Sequence, residues 1–175
     1  VGSEADVALF TTEATRIVQL EGRVVFPGFI DTHIHTMDTL PLLNGAMLSP
    51  GQRAEEVLEA IAAHAKQYPE QNPVLGSGFL ARAFGTDGPT AAQLDAVVPD
   101  RPALIIDEGG HTAWANSLAL QAANITADTP DPVPGAHFFQ RDILGNPTGW
   151  LVEGAAIDPV TDALGIVSEK TLRER

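Results

Sequence analysis

The run Ala103-Leu104-Ile105-Ile106 constrains the fold more than any other stretch of this chain. A continuous apolar tetrapeptide reads as a strand buried on both faces, and such a strand needs covering layers on either side. Helical patterns around it can supply them. Apolar residues at Ala54, Val57, Leu58, Ile61, Ala62 and Ala65 recur at i, i+3, i+4 and i+7, so a helix is expected between Pro50-Gly51 and Pro69. Residues 74–80 read as a short strand with two glycines, and Thr90 reads as the N-cap of a short helix over 91–97. A further helix is expected from about Thr112 to Ala123, after Gly109-Gly110-His111. Residues 126–134 form a Pro/Asp-rich loop, and 136–141 with 148–153 read as a hairpin around Leu144-Gly145-Asn146-Pro147. Upstream, Arg16-Ile17-Val18-Gln19-Leu20 alternates, Glu21-Gly22 signals a turn, and Arg23-Val24-Val25-Phe26 runs on as a strand. After Pro27-Gly28, residues 29–35 make a second extended run. The fold class expected is mixed α/β with short connections and no internal repeat.

Composition removes several functions. The 175 residues are 44% hydrophobic and 19% charged, a globular mixture rather than a disordered one. Ten basic against 23 acidic residues leave a net charge of −13. That balance argues against nucleic acid as a partner, which needs a basic face, and against attachment to anionic lipid. No apolar run reaches the roughly 18 residues that span a bilayer, so no membrane segment is expected. With no cysteine, disulfides, zinc fingers and thiol nucleophiles are excluded. The chain starts at Val1 without a methionine and reads at its end as a helix just begun, capped by Ser168, so a piece of a longer protein is expected. A cytoplasmic location is expected, with a signal peptide upstream of Val1 left open.

The stretch richest in chemistry is Val25-Phe26-Pro27-Gly28-Phe29-Ile30-Asp31-Thr32-His33-Ile34-His35. Side chains alternate across a strand, so His33 and His35 share a face about 6–7 Å apart. Two imidazoles so placed can grip one divalent cation at about 2.0–2.1 Å each. Asp31 lies on the same face one step deeper, where a carboxylate can orient a histidine ring. The plainer reading is a strand end with polar residues in water. His111 follows a buried run and two glycines, in the crevice outside a strand's carboxyl end where ligands often sit; alternatively, His111 and Asn116 cap or brace the helix. Glu153 ends the strand-like 148–152, and alone it reads as an exposed strand-end carboxylate. Trp114 and Asn116 read as structural, His64 as a helix-end histidine and His137 as packing in a Phe-flanked strand. Asp107-Glu108 reads as a solvated loop and Glu55-Glu56-Glu59 as a wet helix face. No Walker loop, dinucleotide-binding glycine motif or nucleophile elbow is present, and Gly76-Ser77-Gly78 is too short to be one.

The segment from Arg23 through His35 resembles the first barrel strand of the amidohydrolase superfamily, metal-dependent hydrolases built on a (β/α)8 barrel. The likeness continues through Pro89-Thr90-Ala91-Ala92-Gln93-Leu94-Asp95, Pro99-Asp100-Arg101-Pro102, Gly110-His111-Thr112-Ala113-Trp114-Ala115-Asn116-Ser117 and Gly145-Asn146-Pro147-Thr148-Gly149-Trp150-Leu151-Val152-Glu153. That ordered series resembles amidohydrolase family three, the YtcJ-like branch related to N-substituted formamide deformylases. The resemblance implies that residues 1–27 end a small β-sandwich, 28–36 form the first barrel strand, 37–149 an inserted α/β domain and 150–175 the return to the barrel. It implies that His33 and His35 ligate a divalent metal, zinc by expectation, as one or two ions. His111 would contact substrate, and Glu153 would stand near the metal as ligand or neighbour.

On this reading the parent protein hydrolyses the C–N bond of a small amide or N-formyl compound, with a homo-oligomer left open. A full barrel takes about 200 residues or more, so the chain alone is expected to be inactive. The competing reading is a self-contained, non-catalytic binding module.

Overall fold

The computed structural model describes residues 3–32 and 44–166. The chain divides into two compact units, Val1–Ile34 and His35–Arg175. His33, His35 and Ser168 lie outside the described residues.

The first unit holds helix α1 (Glu4–Ala8), capped by Ser3, whose hydroxyl accepts from the Asp6 amide. The turn expected at Glu21-Gly22 is present, with φ of 50° and 80° and the Arg23 amide donating to the Leu20 carbonyl at 3.0 Å. Positive φ at both central residues is the geometry that suits a hairpin. The strands expected on either side of it do not form among the described residues: 16–20 and 23–26 carry no strand assignment. Ile17, Val18, Val24, Val25, Phe26, Phe29 and Ile30 are all exposed. A lone two-stranded hairpin is marginal in water, because it has no third strand or helix against which to bury its apolar face.

The second unit is a six-stranded mixed sheet. Its strands are β1 (Ala46–Met47), β2 (Val74–Phe79), β3 (Ala103–Asp107), β4 (Thr112–Ala115), β5 (Phe138–Arg141) and β6 (Pro147–Val152), in the order β1-β2-β3-β4-β6-β5. The first three are parallel and the remaining pairings antiparallel. Helix α2 (Ala54–Gln67) connects β1 to β2, and α3 (Ala91–Asp95) precedes β3. Both were legible in sequence: Val57, Ile61 and Ala65 are the buried face of α2, and Thr90 caps α3 in a capping box with Gln93.

Alternation along β3 divides the core. Ala103 and Ile105 join Val74, Phe79 and Trp114 on one face, covered by α2, Leu94 and Val98. Leu104 joins Leu75, Ala113, Ala115, Phe139 and Leu151 on the other, covered by α4 (Ser117–Ala122) and α5 (Gly154–Ala163). Gly149 shows how tightly these layers meet. Its φ is +99°, and a Cβ there would lie 2.5 Å from the Ala115 carbonyl oxygen, so no larger residue fits.

Two elements differ from the sequence reading. Residues 112–115 form β4, not the start of a helix, and the helix begins only at Ser117. His111 therefore lies at the foot of a strand rather than at a helix N-terminus. Alanine favours helix, but Ala113 and Ala115 face one core and Trp114 the other, which is strand spacing, and pairing to β3 and β6 outweighs propensity. Helix α5 was not expected, because it opens on Gly154 and contains Pro159. An interior proline costs about 3 kcal/mol; burial of Ala156, Ile157 and Val160 against the sheet offsets it. The position 149/150, expected as the edge of an insertion, falls inside β6, so β6 and α5 pack within this unit. Among the described residues no helix is long and apolar enough to cross a membrane.

Asn116 ties the layers together. It is fully buried, and its Oδ1 accepts from the amides of Ala103 (3.0 Å) and Ala119 (2.9 Å). Its Nδ2 donates to the carbonyls of Val98 (3.1 Å) and Arg101 (2.9 Å). All four of its hydrogen-bonding positions are filled. Asn116→Ala strands those partners in the interior and is expected to cost on the order of 3 kcal/mol, read as a lower denaturation midpoint in urea. A change within about 0.5 kcal/mol would contradict this role.

Candidate functional site

The sheet order brings together two residues that the sequence separates. β4 lies beside β6, with Thr112 opposite Val152. The residues just beyond that pair, His111 and Glu153, continue the contact: the Glu153 amide donates to the His111 carbonyl at 2.7 Å. Their side chains meet as well, with His111 Nδ1 3.1 Å from Glu153 Oε2. The β3–β4 turn holds His111 in place. Asp107 Oδ1 accepts the Thr112 amide at 2.9 Å, and the Glu108 amide donates to the Phe79 carbonyl at 2.9 Å. The pair thus stands at the edge of the sheet where the parallel strands β2 and β3 reach their carboxyl ends, the usual place for ligands in open α/β sheets.

Glu153 is in an uncommon backbone conformation, φ 67° and ψ 159°. That region belongs almost wholly to glycine and costs on the order of 1–3 kcal/mol for other residues. Such strain concentrates at functional sites, because only the surrounding structure can enforce it.

The pair has a definite chemical capacity. A carboxylate at Nδ1 fixes the imidazole proton there, which leaves Nε2 of the neutral ring as an acceptor toward solvent or substrate. His111 is largely exposed, with 72% of its side chain accessible, so a ligand can reach it. The hydrogen bond that His111 Nδ1 donates to Glu153, then the Glu153 charge and more weakly that of Asp107, hold the His111 pKa above the ordinary imidazole value.

The remaining sequence candidates are placed as follows. Asp31 is exposed in the first unit. Trp114 and Asn116 are fully buried and structural. His64 Nε2 meets Gln71 Oε1 at 2.6 Å near the end of α2. His137, read from the sequence as packing, also has a polar role: its Nδ1 accepts the Ala155 amide at 3.1 Å. An open depression of about 630 Å³ at the start of α2, lined by Arg53, Leu80 and Arg82 among others, includes neither His111 nor Glu153. The pair rather than this depression is the candidate site, because the depression carries no comparable convergence of reactive groups. Among the described residues no three metal-donor side chains form a group; His33 and His35 lie outside those residues.

Two outcomes test the pair. In a histidine NMR titration His111 is expected to titrate above the ordinary imidazole value, and Glu153→Gln to bring it down toward that value. The raised folded pKa makes the pair's stabilisation fullest below about pH 6.5, and the stabilisation fades as pH rises through the folded value. An unchanged His111 titration in the variant would refute the contact. Glu153→Gly should relieve the backbone strain and stabilise the protein by about 1 kcal/mol net of glycine's unfolded-state entropy, whereas Glu153→Ala should not. Equal midpoints for the two variants would show that the strain is absent.

Comparison with known proteins places the chain. It is 38% identical over 93% of its length to the exoenzymes regulatory protein AepA of Pectobacterium carotovorum subsp. carotovorum. It is 36% identical over 89% of its length to the N-substituted formamide deformylase of Arthrobacter pascens. The chain spans 36% and 29% of those two relatives' lengths. Among solved structures, an uncharacterized metal-dependent hydrolase from Pyrococcus furiosus shares the fold, with a TM-score of 0.51 at 24% identity over 83% of this chain and 27% of that one. A model of the amidohydrolase family matches residues 16–175, nearly the whole chain, and the chain belongs to that family.

Proposed function

We propose that the protein of which this chain is part is a metal-dependent hydrolase that cleaves the C–N bond of a small amide or N-formyl compound. The observation that carries this reading is the stretch Pro27-Gly28-Phe29-Ile30-Asp31-Thr32-His33-Ile34-His35 inside the family match. The name of the Arthrobacter pascens relative, a formamide deformylase, supports the bond type. In this reading residues 28–36 are the first strand of a (β/α)8 barrel fed by the end of a β-sandwich. The mixed sheet then belongs to an insertion after that strand, and the return to the barrel, expected from about residue 150, would follow β6 and α5.

His33 and His35 would hold the ion, zinc in this proposal, as one or two per site. A divalent ion held there would lower the pKa of a water to about 7 and would act as a Lewis acid toward a carbonyl oxygen. Asp31 would orient a ligating imidazole. Glu153 keeps the proton of neutral His111 on Nδ1, so His111 offers Nε2 to a substrate polar group or a proton in transfer. The further ligands and the base would come from other barrel strands, so the 175-residue chain alone would be inactive.

A second reading keeps the family but drops the chemistry: a non-catalytic module, favoured by the regulatory name of the AepA relative. One assay separates the two. The protein as its native gene encodes it, supplied with zinc, is expected to release amine from N-formyl amines or simple amides. His33→Ala and His35→Ala should each lower kcat/KM by more than the roughly 10–100-fold typical of residues behind the ligands, and Asp31→Asn should fall within that range. No turnover with any such substrate, or a fully active His33→Ala protein, would favour the non-catalytic reading.

A further inference from the structure

Glu153 occupies the N-cap position of α5, yet its side chain makes no cap hydrogen bond. An N-cap side chain ordinarily accepts an amide of the first helical turn. Thr90 does so for α3 and Asn116 for α4. In α5 the Ala155 amide goes instead to His137 Nδ1, on a residue 18 positions upstream. His137 is well placed for this. Its amide donates to the Val133 carbonyl at 2.8 Å and its carbonyl accepts the Val133 amide at 3.0 Å. It also directly precedes β5, whose Phe138 pairs with Val152 at the end of β6. The half-buried ring is therefore fixed beside the start of α5.

We infer that His137 is a positioning residue for the carboxylate of Glu153: by capping α5 in its place, His137 leaves that carboxylate for His111. The inference rests on the reading of Glu153 as a working carboxylate. The competition is between two acceptors and two donors. Glu153 can turn back to the amides of its own helix or reach across β4 to His111 Nδ1. While His137 fills the Ala155 amide, the first option loses its partner and the second prevails. Accepting at Nδ1 requires that His137 carry its ring proton on Nε2, and His111, donating from Nδ1 to Glu153, must be the opposite tautomer. The two histidines are thus a matched pair held through Glu153.

The test is ring-nitrogen NMR of the histidine-labelled protein at a pH where both rings are neutral. In the unmodified protein His137 is expected with its proton on Nε2 and His111 with its proton on Nδ1. His137→Phe removes the acceptor, so Glu153 should turn to its own helix and His111 should revert to the Nε2–H form that free imidazole prefers. His137→Asn, whose Oδ1 can stand where Nδ1 stood, should keep His111 as Nδ1–H. A purely structural role for His137 would lower stability in both variants and leave the His111 tautomer alone. A His111 ring unchanged in His137→Phe overturns the inference. Should that variant fail to fold, His137 with its proton on Nδ1 in the unmodified protein, or loss of the His111 tautomer in His137→Asn, overturns it instead. Because the readout is a tautomer and not turnover, failure of the hydrolase reading would leave this result standing.

Discussion

β3 has no solvent face along its first three residues, and the second unit is arranged around that fact. Ala103, Leu104 and Ile105 are each at most 1% exposed, and both halves of the core meet through them. Burying a leucine or isoleucine fully is worth roughly 1.5–3 kcal/mol, but only if both faces are covered, so helices must pack on either side. The parallel partner β2 requires a crossover, and the antiparallel partner β4 requires only a tight turn. That turn carries His111. Asn116 then locks the amino end of β3 to the end of β4 and the start of α4, using every polar atom of its amide. A buried polar group so completely satisfied specifies one register rather than merely tolerating it.

The candidate site draws on this rigidity. Nothing in a glutamate favours φ 67° with ψ 159°, so the conformation persists only because β6 ends against β4 and α5 packs immediately afterward. The Glu153 amide must reach the His111 carbonyl while the chain turns into a helix. That geometry delivers the carboxylate to the imidazole, and His137 satisfies the helix end that Glu153 leaves open. Strain in the backbone and relief at the cap are two parts of one arrangement, which a scaffold of buried strands can enforce and a surface loop could not.

Local signals in the sequence carried well. The periodicity of α2, the capping residues Thr90 and Gln93, the buried run of β3 and the glycine-centred hairpin of β5 and β6 depend on neighbours in the chain, and each is present. What failed depended on partners far away. Thr112-Ala113-Trp114-Ala115 is ambiguous until β3 and β6 are known to flank it. Helix α5 looked unfavourable because its glycine and proline count against it locally, while its compensation is tertiary. The alternating residues of 16–20 and the apolar run of 23–26 have strand character, but no strand is assigned there among the described residues. His111 and Glu153 were each singled out, yet their convergence across 42 residues could not be seen without the order β4-β6-β5. The positive φ of Glu153 has no sequence signal at all.

Family membership rests on residues 16–175, and the chemistry proposed for the longer protein rests on His33 and His35 holding a metal. Anomalous diffraction at the zinc absorption edge, from crystals of the native protein grown with zinc, tests this most directly. The account predicts a peak at about 2.0–2.1 Å from an imidazole nitrogen of both His33 and His35. A zinc-saturated protein with no peak at those two residues would contradict it.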